Sequence, residues 1–149
     1  MQQALEDRLR ELEVADHAEL LGYVPFGPGL WALYRESHAL LHVSWTEGFP
    51  QVLVEGFAAG LPVVATDVGG VAAAVGGAAR LVPPGDAGAA ASELRAIAAD
   101  AALRESLVRA GHNYAASRTV AAEVERLAAF LRGAESLPAS GQQAVRSCG

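Results

Sequence analysis

Lysine is absent from this 149-residue chain, so all eleven of its permanently cationic side chains are arginines. The arginines form no cluster, and the formal net charge is −6. Binding a polyanion through counterion release needs a basic stripe, so no nucleic-acid partner is expected. Together with the heavy alanine content, the missing lysine reads as a compositional bias of the source genome. Cysteine is nearly absent too: Cys148 stands alone, which rules out a disulfide within the chain and any C-x-x-C metal or redox motif. A reducing, cytoplasmic setting is the expectation. Long apolar runs are missing as well. The longest stretch of small apolar residues, 71–79, is interrupted by glycine and far short of the roughly 20 residues that cross a bilayer. The first residues, Met1-Gln2-Gln3-Ala4-Leu5-Glu6-Asp7-Arg8, are charged and are expected as helix and not as a signal peptide. What is present, 52% hydrophobic and 19% charged residues, is the composition of one globular domain large enough to bury a core.

Leu5, Leu9 and Leu12 recur at helical spacing among Glu and Arg, predicting an amphipathic helix over 2–14. Residues 19–24 read as a strand ended by Pro25, and the Gly27-Pro28-Gly29 turn opens a short helix over 30–36. The segment 38–44 is apolar enough for a buried strand. A loop over 45–49 leads into a helix over 50–59, with proline in its first turn and Gly60 just past its end. A β-branched strand over 62–66, a tight connection over 67–70, a short helix over 71–75 and a strand over 80–82 follow. Beyond Asp86 the pattern is helical only: 87–99, 101–115 and 119–132. Strands alternating with helices imply a parallel sheet with right-handed crossovers. The expected fold is therefore α/β: a partial Rossmann-like sheet with flanking helices and a helical C-terminal segment, over residues 1–132. Residues 133–149 lack periodicity and are expected as a disordered tail. No internal repeat is visible.

The chemically informative segment is Glu47-Gly48-Phe49-Pro50-Gln51-Val52-Leu53-Val54-Glu55. Two carboxylates lie eight residues apart, one in the loop at a strand's C-terminal end and one inside the next helix. In open α/β sheets that edge is where ligands bind. At helical rise the two are separated by about 12 Å, the scale of a nucleotide sugar from hexose to ribose. Both ends of such a ligand carry hydroxyls, which donate well to carboxylates. Between the carboxylates lies a helix N-terminus, suited to a diphosphate. Pro50 has no N–H, so the amides of Gly48, Phe49, Gln51 and Val52 would serve there. Spacing alone carries little, since glutamates eight apart recur by chance. On the plainer reading, Glu47 caps the helix and Glu55 is a solvated side chain opposite Val52, Leu53 and Phe57.

Other candidates are weaker. His38 and His42 share a strand face but have no cysteine or carboxylate nearby, so no metal site is expected. Ser44 lacks a nucleophile elbow. Gly69-Gly70 reads as a strand-to-helix turn, because a Walker motif needs lysine. Trp31 and Trp45 read as packing residues, with Trp45 close enough in sequence to Glu47 to line its site. Phe57 and Tyr34 read as core.

The motif order from about Leu5 to Leu131 resembles the C-terminal domain of GT-B glycosyltransferases of the family-4, or group 1, class. The matching segments are Leu21-Gly-Tyr-Val-Pro25, Leu33-Tyr34, Ser44 with Glu47-Gly-Phe-Pro50, the run from Glu55 to Gly70, and Leu81-Val-Pro-Pro-Gly-Asp86. The resemblance implies a retaining transferase that takes a nucleotide-diphosphate sugar as donor, needs no metal, and lacks a D-x-D motif. It implies that Glu47 contacts the donor sugar and that Gly48 and Phe49 reach sugar and diphosphate by their amides. It further implies that Glu55 holds the ribose and that Tyr23 and Val24 lie beside the base. This chain departs from the pattern in two places. Val71-Ala72-Ala73-Ala74 follows Gly69-Gly70 where the family has a nearby glutamate, and Ser37-His38 replaces Ala-Asp. The family also carries an upstream strand, helix and strand with the arginine and lysine that grip the diphosphate, and an N-terminal acceptor-binding domain. Their absence here implies a fragment, with an acceptor that these residues do not define. It also leaves the 19–24 strand without its covalent neighbours, an unpaired edge that invites self-association or disorder. The alternative is a non-catalytic nucleotide-binding or interaction module of the same fold.

Overall fold

Helix α1 (Gln2–Glu11) stops short of the expected residue 14 because Glu13 adopts a left-handed conformation, φ 57°. The Glu13 amide donates to the Arg10 carbonyl and the Val14 amide to the Leu9 carbonyl, both at 3.0 Å. That pair of bonds is the Schellman closure of a helix end, formed here on a residue that carries a Cβ. The structure is a computed structural model and describes residues 2–134. It divides into two units, Met1–Glu36 and Ser37–Gly149.

In the first unit a 3-10 turn, Ala15–His17, follows α1. Residues 19–24, expected as a strand, form none. A strand is held by a neighbour's ladder, and none of the described strands pairs with this segment. The edge through which self-association was expected is therefore not formed there. Helix α2 (Pro28–Glu36) starts at its proline, two residues before the expected start, since a missing N–H costs nothing at that position. Trp31 packs edge-on to Phe26 at 5.8 Å and tilted against Tyr34 at 5.7 Å, so both Trp31 and Tyr34 serve packing as expected.

The second unit carries a parallel sheet. Strand β1 (Leu40–His42) leads to α3 (Gln51–Ala58), β2 (Val63–Thr66), α4 (Val71–Val75) and β3 (Ala79–Val82). Helices α5 (Ala87–Ala99), α6 (Ala101–Ala116) and α7 (Val120–Ala134) follow. The sheet order is β1-β2-β3, with Leu41 beside Val64 and Val64 beside Arg80. Gly133 and Ala134, expected in the tail, close α7; the rest of that expectation lies outside the described residues.

All four β2 residues are buried, because both faces of the sheet are covered. Side chains alternate along a strand. Val63 and Ala65 therefore join Leu53, Phe57, Val71 and Val75 on one face. Val64 joins Val82, Ala90, Ile97 and Leu107 on the other. Phe57, Leu53, Val63, Val64, Val71 and Val75 are essentially fully buried. At about 1.5–3 kcal/mol each, they far outweigh surface ion pairs.

Polar contacts set the ends of the elements. Gly60, at φ 80°, ends α3 with the Leu61 amide donating to the Gly56 carbonyl at 2.9 Å. The Asp86 side chain caps α5 through the Ala89 amide at 2.8 Å, and Asp100 caps α6 through Ala102 and Leu103. Arg80 on β3 grips Glu93 on α5 with two hydrogen bonds of 2.6 and 2.9 Å. Those bonds hold the Glu93 carboxyl below the usual range.

Strand β1 is shorter than the expected 38–44. Beyond His42 the chain bonds to a side chain in place of a ladder. The Thr66 hydroxyl accepts from the Ser44 amide and donates to the Ser44 carbonyl, both at 2.9 Å. Thr66 is thus the buried polar residue that turns the chain out of the sheet and into the loop carrying Glu47. Among the described residues no helix is long and apolar enough to cross a membrane.

Candidate functional site

Strand β1 runs toward the loop 43–50, and α3 starts where that loop ends, so Glu47 stands at the carboxyl edge of a parallel sheet. Glu47 does not cap α3: Pro50 is the N-cap residue, and it makes no side-chain cap bond. The Glu47 carboxylate instead turns back to β1. Its Oε1 accepts from the Ser44 hydroxyl at 2.9 Å and lies 3.1 Å from His42 Nε2. The two side chains of this last pair are half-buried, at 20% and 27% exposure. His42 therefore has a carboxylate neighbour that the strand periodicity did not show. Among the described residues no group of three or more His, Cys, Asp or Glu is placed to hold a metal ion.

The loop is held from the other side by the turn after β2. The Gly70 amide donates to the Glu47 carbonyl at 3.3 Å. A Cβ on Gly69, whose φ is 53°, would lie 2.0 Å from that carbonyl oxygen, and one on Gly70 would lie 2.4 Å from the Gly48 oxygen. Gly69-Gly70 is thus the strand-to-helix turn expected, with Gly70 as the N-cap of α4, and it also lets two backbones meet.

Gly48 and Phe49 are exposed, and Val52 packs its side chain against the core. The amides of Gly48, Phe49, Gln51 and Val52 donate to no other described residue. They form a cluster of unspent donors at the positive end of α3. One helical turn separates Gln51 from Glu55, which puts both on one face with Val54. With Phe49, Arg118 and Glu123 they line a cavity of about 440 Å³. Arg118 pairs with Glu123 at 3.1 Å and lies over the Tyr114 ring at 5.1 Å. The cations that the resemblance implied were the arginine and lysine that grip the diphosphate; Arg118, which lines the same cavity as Glu55, was not among the candidates. No motif marks it: it lies in the connection between α6, which packs on α3, and α7.

Trp45, expected as a packing residue, is 79% exposed, with one edge of its indole against Gly85. It lines a separate cavity of about 250 Å³ with Ser44, Thr66, Val82 and Asp86. Tyr23 and Val24 belong to the first unit, where Tyr23 is 88% exposed.

A parallel sheet flanked by helices, with its polar loop at the carboxyl edge, is the Rossmann-like architecture of the GT-B C-terminal domain. The sucrose-phosphate synthase of Thermosynechococcus elongatus shares it at a TM-score of 0.71 and 28% identity, over 89% of this chain and 34% of that one. Anabaena HepE, solved in complex with UDP, shares it at a TM-score of 0.74 and 23% identity, over 88% and 36%. The chain belongs to the family of glycosyl transferases group 1, which it matches over residues 1–114. It is also similar to the D-inositol 3-phosphate glycosyltransferase of Kribbella flavida, 37% identical over 108 residues. That match covers 71% of this chain, which thus spans a quarter of its relative's length.

Proposed function

We propose that residues 1–132 form the donor-binding part of a retaining glycosyltransferase that takes a nucleotide-diphosphate sugar. The observation that carries this reading is the row of unspent amides at the start of α3, between Glu47 and Glu55. In this reading the diphosphate meets those amides and the positive helix end, so no metal is called for. Glu47 accepts from the sugar hydroxyls and stabilises positive charge as the anomeric carbon loses its leaving group. The α3 terminus stabilises the departing diphosphate, which is electrostatic catalysis by donors already in place. Glu55 accepts from the ribose hydroxyls, with Phe49, Gln51 and Arg118 around the same cavity. A role for Tyr23 and Val24 beside the base stands as a separate proposal.

Titration calorimetry with UDP-glucose, GDP-mannose and ADP-glucose, and with the matching free diphosphates, tests this. One nucleotide is expected to bind in both forms. Hydrogen bonds to a charged group contribute about 1.5–3 kcal/mol, so Glu55→Ala should weaken both forms by about tenfold or more. Glu47→Ala should weaken only the sugar nucleotide. Absence of saturable binding, or binding indifferent to both substitutions, would sink the proposal.

A further inference from the structure

We infer that His42 is a positioning residue for Glu47, donating its Nε2–H to Oε1 so that Oε2 is presented to the ligand. The argument is a count of protons. Nε2 faces two oxygens, Glu47 Oε1 at 3.1 Å and Ser44 Oγ at 3.4 Å. A carboxylate has only acceptor sites, and a serine hydroxyl has one proton. Ser44 donates that proton to Glu47 Oε1 at 2.9 Å. Neither oxygen has a proton left for Nε2, so Nε2 must carry its own, in the neutral ring and in the cation alike.

The geometry gives this bond a purpose. Oε1 is occupied by two donors, whereas Oε2 makes no hydrogen bond to any described residue. One oxygen anchors the carboxylate and the other is presented. His42 reaches Oε1 from a strand residue in register with Ala65, and Ser44 is clamped by Thr66. One anchor thus stands on the sheet and the other is tied to it through Thr66, and together they restrict a side chain that would otherwise sample several rotamers in a loop.

The hydrogen bond stands on the geometry alone, and its use for orienting a sugar rests on the donor reading above. Two measurements on the full chain separate them. In proton NMR at pH 8, a protected His42 Nε2–H resonance is expected, lost on Glu47→Ala. An Nδ1–H tautomer, or an Nε2–H signal indifferent to Glu47→Ala, overturns the inference whether or not any donor binds. In calorimetry with UDP-glucose, GDP-mannose and ADP-glucose, His42→Leu should weaken the sugar nucleotide about tenfold and leave the free diphosphate unchanged. His42→Gln keeps an N–H at a similar reach and should restore binding. Equal binding by wild type and His42→Leu overturns the positioning role. Failure of all three sugar nucleotides to bind wild type overturns the donor reading and the orienting role with it, while the NMR result still decides the bond.

Discussion

Replacing Phe57 by alanine is expected to cost about 3–5 kcal/mol of folding stability, out of the roughly 5–15 kcal/mol typical of a domain. The side chain is fully buried and belongs to the cluster formed with Leu53, Val63 and Val71. It meets the Tyr114 ring edge-on at 5.7 Å, so it joins α3 to α6. The α6 backbone approaches so closely that a Cβ on Gly111 would lie 2.8 Å from Phe57 Cδ1. A helix already in such contact has little room to collapse into the space left by alanine, which puts the cost toward the upper end. Equilibrium unfolding in urea reads the effect. Phe57→Leu, which keeps most of the volume, should lose well under half as much. A Phe57→Ala midpoint near that of wild type would mean that α3 and α6 are not joined in this way.

The second large effect is expected at Gly69. Alanine there would take on a left-handed backbone, at about 1–2 kcal/mol. Its Cβ would also fall 2.0 Å from the Glu47 carbonyl oxygen, a distance no rotamer change relieves, because both partners are close to or part of the backbone. The loop must move, and with it the Glu47 carboxylate. Misplacement of a reacting group by an ångström costs on the order of 100-fold in rate, so transfer by an enzyme containing this domain should fall by about that factor. Gly77→Ala is the control. Gly77 has φ 81° with nothing within 4 Å of where a Cβ would stand, so it should carry the left-handed backbone cost alone, without the loss of rate. Equal rates for the two variants would show that the Gly69 approach does not hold Glu47.

Much of the second unit was legible because its punctuation is local. Proline before α3 and Gly60 after it bound that helix to within a residue at either end, and Asp86 and Asp100 mark where α5 and α6 start. The β-branched run of β2 is buried on both faces, so it reads the same whatever its neighbours. The failures share the opposite property. Residues 19–24 have strand composition, but a strand exists only through a partner, which composition does not supply. Glu13 ends α1 in a left-handed conformation that no residue type there announces. Of the site, the two glutamates and the helix between them were legible from order and context. The bonds that aim Glu47 were not. Strand periodicity shows which residues share the face of His42, but not that a loop five residues on folds back to it. Arg118 shares a cavity with Glu55 from the connection after α6, a relation that spacing does not carry.

The central claim is that the start of α3 receives a nucleotide-diphosphate sugar. Backbone amide shifts in the 15N-labelled chain test it most directly, measured while UDP-glucose, GDP-mannose or ADP-glucose is added. With the sugar nucleotide that binds, the largest shifts should fall on Gly48, Phe49, Gln51 and Val52, and those four should shift again with the free diphosphate. Saturable shifts centred elsewhere, with these four amides unmoved, would contradict the account.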